Sequence, residues 1–429
     1  MKSIITCDME GIIKTMNNAA EEIFGYNKSE LIGKQRVSLF SPGEIVLQNV
    51  PTWLDIASKK GEYSGKTIFV NKLGEKINAR IRITPTFSKG TDKIQNGYCG
   101  VTEVIDDHVE VPISFSTKLI KFLAITRMPF SSASLLPVFV VASYFYSIDV
   151  EFISKLNLGL CSLGILFAHL STNMFNDYFD NLDGTDSGNF NYFQQLSGGS
   201  RAIELGLISI SKTKFLAIGL LLTALFFGLL TLSNANNANI NSIVIITILG
   251  LFLGYYYTAP PIRLVARNGL GELSIFIVFG PLLLLGTGFA IFNGDFLMSE
   301  YFNDLIIISL PIGLLTTNIL IINEFPDYEG DLKTGKNHIV ATLGKRKSRY
   351  IYLLNLIIIS CVSFYSAIAI NKLLFVPLLF VVIYGSKVCL HLFKNYNKRS
   401  LVHANWDTIK IHAGYCILVI GSFILFTLL

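Results

Sequence analysis

From about residue 117 to its last residue the chain is a succession of apolar stretches, and this feature limits its possible folds more than any other. A helix that crosses about 30 Å of hydrocarbon needs roughly 20 apolar residues. A mean hydropathy of +0.53 with only 15% charged residues excludes a wholly soluble protein. We therefore predict about nine transmembrane helices, near residues 118–147, 153–178, 212–233, 240–258, 271–293, 303–325, 348–368, 372–392 and 408–428.

Lysines and arginines concentrate in alternate connections between these predicted helices. If the N-terminal region is cytoplasmic, the cytoplasmic connections hold most of them, whereas the opposite connections hold little beyond Lys155 and Lys372. This asymmetry is the positive-inside pattern. The first residues contain no long apolar core and no cleavage site, so we expect no signal peptide. The sequence thus predicts a multi-pass protein of the cell membrane whose N-terminal region and long polar loops are cytoplasmic.

Residues 1–107 differ from the rest because no apolar run among them is long enough to cross a membrane. Residues 76–83 alternate polar with apolar side chains, which predicts a half-buried strand. Residues 18–26 and 28–33 predict two short helices that end at glycines, and residues 71–75 predict a turn.

These residues resemble a PAS domain over positions 1–105. The similarity lies in Asp8-Met9-Glu10-Gly11-Ile12-Ile13, Asn17 to Tyr26, Glu30-Leu31-Ile32-Gly33, Gly61-Glu62-Tyr63 and Leu73-Gly74-Glu75. It implies a five-stranded antiparallel sheet flanked by short helices, which serves either as a ligand sensor or as a dimerisation module. We thus expect an all-α polytopic membrane bundle (117–429) with an N-terminal α/β PAS domain (1–107) and a possible PAS-mediated homodimer.

Amide and carboxylate side chains follow the second apolar stretch directly. If the helix continues there, Asn176, Asp180 and Asp183 share one face, and Asn173 and Asp177 form an adjacent stripe. Carboxylates this close repel one another unless a cation lies among them. Oxygen ligands without histidine or thiolate favour a hard divalent ion, and Mg²⁺ commonly combines one or two carboxylates with substrate phosphate oxygens.

A second acidic cluster follows the sixth apolar stretch. Asn323, Asp327 and Asp331 recur every four residues and would line one helix face, although Pro326 and Gly330 could kink or end that helix. One acidic run alone is as often a solvated loop. Two runs of the same spacing at helix ends favour function, because acids at membrane depth are costly. Together they could grip one diphosphate through bridging Mg²⁺ ions.

Basic side chains beside both clusters complete this predicted site: Arg201, Arg263, Arg267, Lys333 and Lys336. Each could neutralise a departing diphosphate. The basic run at 345–349 instead indicates contact with anionic lipid.

Residues 117–429 resemble the UbiA superfamily of intramembrane aromatic prenyltransferases. Asn176-Asp177-Tyr178-Phe179-Asp180, followed by Gly184-Thr185-Asp186, is similar to the signature of the branch that prenylates 1,4-dihydroxy-2-naphthoate. The residues Lys336-Asn337-His338 depart from the Lys-Arg-Thr that is more usual in the second motif. Further similar segments are Ser197-Gly198-Gly199-Ser200-Arg201, Tyr256-Tyr257-Thr258-Ala259-Pro260-Pro261, Gly269-Leu270-Gly271-Glu272 and Asn323-Glu324-Phe325-Pro326-Asp327.

The resemblance implies Mg²⁺-dependent transfer from a polyprenyl diphosphate to an aromatic acceptor in menaquinone biosynthesis. The implied metal ligands are Asn176, Asp177, Asp180, Asn323, Asp327 and Asp331. The implied catalytic residues are Asp180, Asp327, Asp331, Arg201 and Lys336. The implied substrate contacts are Asn173, Asn176, Asp177, Asp183, Asp186, Tyr256, Tyr257, Arg263 and Lys333. The two tyrosines would either stabilise an allylic cation or anchor their helix at the headgroups.

Three alternatives stay open. Another branch of the superfamily would use 4-hydroxybenzoate, homogentisate, haem or a glycerol-type acceptor. A carrier would also place carboxylates in the membrane, but nearer to helix midpoints than they lie here. A membrane-anchored sensor would show no metal-dependent activity.

Overall fold

A computed structural model of the chain describes residues 1–88, 94–110, 115–149, 151, 153–184 and 199–429. The chain forms two compact units. The first comprises residues 1–125 and 201–209, and the second comprises residues 126–200 and 210–429. The sheet lies in the first unit and the membrane-length helices lie in the second.

The first unit contains a five-stranded antiparallel sheet in the order β2-β1-β5-β4-β3, which confirms the predicted PAS architecture. The strands are β1 (Lys2–Asp8), β2 (Ile13–Met16), β3 (Tyr63–Val70), β4 (Lys76–Phe87) and β5 (Gln95–Val104). The helices are α1 (Asn18–Phe24), α2 (Lys28–Leu31), α3 (Gly43–Gln48), α4 (Val50–Lys60) and α5 (Phe115–Thr126).

Local sequence signals account for the ends of these elements. The Asn17 side chain accepts a hydrogen bond from the Ala20 amide and caps α1, and Gly25 ends that helix in the left-handed region at φ 73°. In the turn between β3 and β4, the Asn71 side chain accepts hydrogen bonds from the Leu73 and Glu75 amides. The sequence predicted both the glycine that ends α1 and the turn at residues 71–75.

Aromatic rings fill the core of the first unit. Phe24 is 1% exposed, stacks on Phe40 with 4.1 Å between ring centroids, and meets the edge of Phe69. Trp53 stacks on Tyr63 at 5.4 Å. These contacts tie helix α1 to strand β3, so the core joins helices and sheet.

The second unit is helical, and its described residues include nine helices or helix pairs long and apolar enough to cross a membrane. This confirms the predicted number. The elements are α6 (Ser132–Ile148), α7 (Lys155–Leu182), α8 (Ile210–Ser233), α9 (Ile240–Tyr256), α10 (Leu270–Ile277), α11 (Leu283–Ile291), α12 (Tyr301–Lys333), α13 (Ile339–Leu343), α14 (Lys345–Ala369), α15 (Phe375–Asn395) and α16 (Val402–Leu428).

The first membrane helix begins later than predicted. Helix α5 ends at Thr126, and the first membrane-length segment starts at Met128 rather than near residue 118. Arg127 between them adopts a left-handed backbone at φ 52°, and Pro129 follows. A left-handed residue cannot continue an α-helix, and proline is tolerated only in its first turn.

Helix α12 is longer than predicted and carries the second acidic cluster on its last turns. The apolar pattern suggested an end near residue 325, yet the helix continues through Pro326 and Gly330 to Lys333. A proline inside a helix costs about 3 kcal/mol or more. Packing offsets this cost, since Phe325 beside it is completely buried.

We expect Phe24→Ala to lower the free energy of unfolding of a fragment of residues 1–107 by about 3–5 kcal/mol, because it leaves a cavity in the aromatic core. Leu73→Ala is the matched control, since Leu73 is 82% exposed and its loss should cost less than about 0.5 kcal/mol. Trp53 is the only tryptophan of this fragment, so its fluorescence during urea unfolding measures both changes. Equal effects would contradict the assigned core.

Candidate active site

Three buried carboxylates lie at the ends of two membrane helices of the second unit. Asp180 is in the last turn of α7, and Asp327 and Asp331 are in the last two turns of α12. Their exposed fractions are 4%, 8% and 4%. Isolated buried carboxylates are costly, so each needs a cation or hydrogen-bond donors nearby.

Lys336 supplies a positive charge between the two helix ends. Its Nζ lies 3.1 Å from Asp180 Oδ2 and 3.3 Å from Oδ1, and it also interacts electrostatically with Asp331 and Asp327. Burial alone would lower the pKa of Lys336, but these three carboxylates raise it, so the side chain remains an ammonium ion. The sequence placed all four residues in one site, and the structure brings them together.

A second ion pair joins the next acid of α7 to the connection between α9 and α10. Arg263 lies 3.0 Å from the Asp183 carboxylate, and its backbone is left-handed at φ 48°. Such a conformation costs about 1–3 kcal/mol outside glycine and persists where surrounding contacts impose it. The guanidinium is thus fixed beside the first acidic cluster.

Asp177 is held by Ser200, which belongs to one of the similar segments but was not predicted as a site residue. The Ser200 amide donates to Asp177 Oδ1 at 3.1 Å, and the Ser200 hydroxyl donates to Oδ2. The positive charge of Arg127 also acts on this carboxylate. Both Asp177 oxygens therefore accept hydrogen bonds from Ser200, whereas both Asp180 oxygens face the ammonium of Lys336.

His338 is the most connected residue that the sequence analysis did not assign to the site. Its Nε2 lies 3.0 Å from Asp331 Oδ2, and its Nδ1 lies 3.1 Å from the Ala341 amide and 3.2 Å from Glu324 Oε2. Burial lowers the pKa of His338 and the carboxylates of Glu324 and Asp331 raise it, but the hydrogen bond that Nδ1 accepts from the Ala341 amide requires the neutral ring with its proton on Nε2. The one sequence signal that pointed to His338 was the difference between Lys336-Asn337-His338 and the Lys-Arg-Thr noted above.

Glu272, at the start of α10, accepts a hydrogen bond from the Ile339 amide. One oxygen each of Glu272 and Glu324 and a ring nitrogen of His338 lie within 4.8 Å of one another, a spacing that suits a metal ion. However, His338 Nδ1 already serves the Ala341 amide as the cap of α13. We therefore interpret Glu272, Glu324 and His338 as residues that hold the surrounding structure in place rather than as metal ligands.

The oxygen donors of the two clusters do fit a hard divalent cation. The carboxylates of Asp180, Asp327 and Asp331 all act electrostatically on the single ammonium of Lys336, so negative charge is in excess. The Asn176 Oδ1 atom is buried and has no hydrogen-bond partner among the described residues. Carboxylate and amide oxygens are the protein ligands that Mg²⁺ prefers.

Other predicted site residues have different neighbours. Asn323 Oδ1 accepts a hydrogen bond from Asn405 at 2.8 Å, and the Asn173 amide donates to the Thr126 carbonyl at 3.1 Å. Lys333 is exposed. Four carboxylates (Glu324, Glu272, Asp180 and Asp331) act electrostatically on Tyr257, whereas the Tyr256 ring packs against Phe252 and Tyr255.

Two predicted residues cannot be placed in this group. Arg201 belongs to the first compact unit, where it is 4% exposed and pairs with Glu204 at 2.8 Å. Asp186 lies outside the described residues, as do Thr185, Ser197 and Gly198 of the similar segments.

Comparison with known proteins identifies the membrane region, because residues 134–409 match the UbiA prenyltransferase family. The chain belongs to this family. Residues 1–106 match the PAS domain. This UbiA family member therefore joins a prenyltransferase region to an N-terminal PAS domain.

Two curated relatives have names that specify a reaction. The chain is 28% identical over 194 residues to "1,4-dihydroxy-2-naphthoate octaprenyltransferase" of Haemophilus influenzae. This matched stretch covers 44% of the chain and 58% of that relative. It is 28% identical over 298 residues to the chloroplastic "2-carboxy-1,4-naphthoquinone phytyltransferase" of Arabidopsis thaliana, covering 66% and 68% respectively.

A solved structure shows the same fold. The UbiA homolog from Archaeoglobus fulgidus, bound to DMAPP and Mg²⁺, matches 70% of the chain and 99% of its own length, with a TM-score of 0.50 and 17% identity.

We expect Lys336→Met to lower prenyl transfer on the order of 10²-fold, because the charge that faces Asp180, Asp327 and Asp331 is lost. Lys347→Met is the control, since Lys347 is an exposed lysine at the start of α14 and should keep activity within about threefold. The measurement is turnover of a radiolabelled polyprenyl diphosphate by purified protein in detergent. Equal turnover in both variants would remove Lys336 from the site.

Proposed function

We propose that this protein transfers a polyprenyl group from polyprenyl diphosphate to 1,4-dihydroxy-2-naphthoate, as a step of menaquinone biosynthesis. The observation that carries the proposal is the convergence of Asp180, Asp327 and Asp331 on Lys336 at the ends of two membrane helices. This arrangement suits the binding of an anionic diphosphate headgroup whose tail lies in lipid. The acceptor is supported by the names of the relatives.

We propose Mg²⁺ as the cofactor, held by Asn176, Asp180, Asp327 and Asp331. Asp177, engaged by Ser200, and Asn323, engaged by Asn405, contribute less directly. When bound, the cation supplies Lewis-acid charge that stabilises the departing diphosphate. The Archaeoglobus homolog that shares the fold was solved with this ion.

The chain's own residues account for the rest of the reaction. The carbon–oxygen bond of the allylic diphosphate breaks, and the ammonium of Lys336 and the guanidinium of Arg263 stabilise the charge that develops on the leaving group. The ring of Tyr257, which lies in the field of four carboxylates, favours positive charge near the allylic carbon. A ring carbon of the acceptor forms the new bond, and the naphthoate loses its carboxylate as carbon dioxide.

Asp327→Ala should abolish turnover with 1,4-dihydroxy-2-naphthoate, because a central oxygen donor is lost while the helix is kept. Asp295→Asn is the control, since Asp295 is an exposed acid between α11 and α12, at the opposite ends of these helices, and should retain full activity. The assay measures product from radiolabelled polyprenyl diphosphate with and without Mg²⁺. Full activity in the Asp327 variant would refute the proposed site.

The same assay separates the acceptors. Product with the naphthoate alone supports the proposed reaction, whereas product only with 4-hydroxybenzoate or homogentisate would keep the reaction type and replace the acceptor. The absence of product with every acceptor, from folded protein, would contradict prenyl transfer altogether.

We also propose that the PAS domain and the connections that hold the site are cytoplasmic, on the basis of their lysines and arginines. Leu73→Cys, at a position 82% exposed in the PAS domain, should react with a membrane-impermeant maleimide only after the cells are permeabilised. Met298→Cys, 80% exposed between α11 and α12, should react in intact cells. The unmodified chain measures the background of native cysteines. The reverse pattern of labelling would invert the proposed orientation.

A further inference from the structure

His338 connects the second acidic cluster to the short helix that follows it. It lies at the N-cap of α13, five positions beyond the last residue of α12, and is 1% exposed. One ring nitrogen, Nε2, is 3.0 Å from Asp331 Oδ2. The other, Nδ1, is 3.1 Å from the Ala341 amide nitrogen. A single buried imidazole thus contacts two helices through its two nitrogens.

The direction of the bond to Asp331 follows from the partners. An ionised carboxylate only accepts hydrogen bonds, so Nε2 must carry the proton. In a neutral imidazole, acceptance of the Ala341 amide by Nδ1 also places the proton on Nε2. In an imidazolium both nitrogens are protonated. The Nε2–H to Asp331 bond therefore exists in either protonation state.

The His338 ring has a further contact, with Glu324. Glu324, two turns before Asp331 on α12, places Oε2 3.2 Å from His338 Nδ1. Glu272 of α10 accepts from the amide of Ile339, the next residue in the chain. Contacts from α12 and α13 thus hold the imidazole, while α10 holds the backbone beside it, and a fixed donor in turn fixes the rotamer of the carboxylate it bonds.

We propose that His338 is a positioning residue that orients the Asp331 carboxylate for cation binding. The inference rests on the proposed function in one respect, namely that Asp331 is a ligand of the divalent ion. Hydrogen-bond partners of ligating carboxylates set ligand orientation, and their loss typically lowers metal affinity or activity 10- to 100-fold.

Two variants separate the positioning role from the capping role. Asparagine places its side-chain amide near the position of Nδ1, so His338→Asn keeps an acceptor for the Ala341 amide and loses the donor to Asp331. Glutamine reaches the position of Nε2, so His338→Gln keeps a donor to Asp331 and loses the cap. A purely structural role for His338 predicts that the asparagine variant is the less harmful one.

The experiment measures the affinity of purified full-length protein in detergent for Mn²⁺, by electron paramagnetic resonance. It also measures the Mg²⁺ concentration that gives half-maximal prenyl transfer. We expect the dissociation constant for Mn²⁺ and the half-maximal Mg²⁺ concentration to rise at least tenfold in His338→Asn and to stay within about threefold in His338→Gln, with the acceptor KM unchanged in both. The opposite order, or no change in either variant, would overturn the proposal.

A second comparison covers the case in which either variant folds poorly. If His338 acts through Asp331, adding His338→Asn to Asp331→Asn should change the Mn²⁺ affinity less than twofold, whereas independent effects would multiply. A full tenfold further loss would overturn the proposal. If the wild-type protein binds Mn²⁺ but transfers no prenyl group to any acceptor, the proposed function fails while the positioning role is still decided by the Mn²⁺ affinities.

Discussion

The buried ion pair between Lys336 and Asp180 is the interaction on which the candidate site depends. It joins the connection after α12 to the last turn of α7, and it places an ammonium ion among three carboxylates. Breaking a buried pair by removing one partner costs about 3–5 kcal/mol, because a charge is left uncompensated. Since one ammonium cannot neutralise three carboxylates, the same arrangement retains negative charge that a divalent cation can balance.

Hydrogen bonds inside the membrane unit join α7 and the residue before α9 to the end of α11. Asn157 donates to the Ala290 carbonyl at 2.8 Å, and Asn239 donates to the Phe289 and Gly294 carbonyls. In lipid, backbone carbonyls at helix ends need partners from the protein, because water does not reach them. These buried asparagines satisfy carbonyl groups at the end of α11 and in the segment that follows it.

The elements of this fold were largely predictable, because their signals are local. Length and apolarity predict membrane helices, and a spacing of four residues predicted that Asp327 and Asp331 share a face. Which individual side chains pair with one another was not predictable in the same way. Lys336 and Asp180 are 156 positions apart, and the Ser200 and His338 contacts depend on how connections fold back. Arg201, predicted beside the acids, belongs to the first compact unit, so its place relative to the acids stays a prediction.

The length of α12 has a consequence for how a donor could arrive. Its apolar run ends near Ile322, and the remaining residues, Asn323–Lys333, continue the helix for about 16 Å at 1.5 Å per residue. The acids therefore lie on the same continuous helix as the apolar run that precedes them. Under the proposed function, an amphiphilic diphosphate whose tail lies beside the apolar run would present its polar end to these acids without carrying its charge across the bilayer.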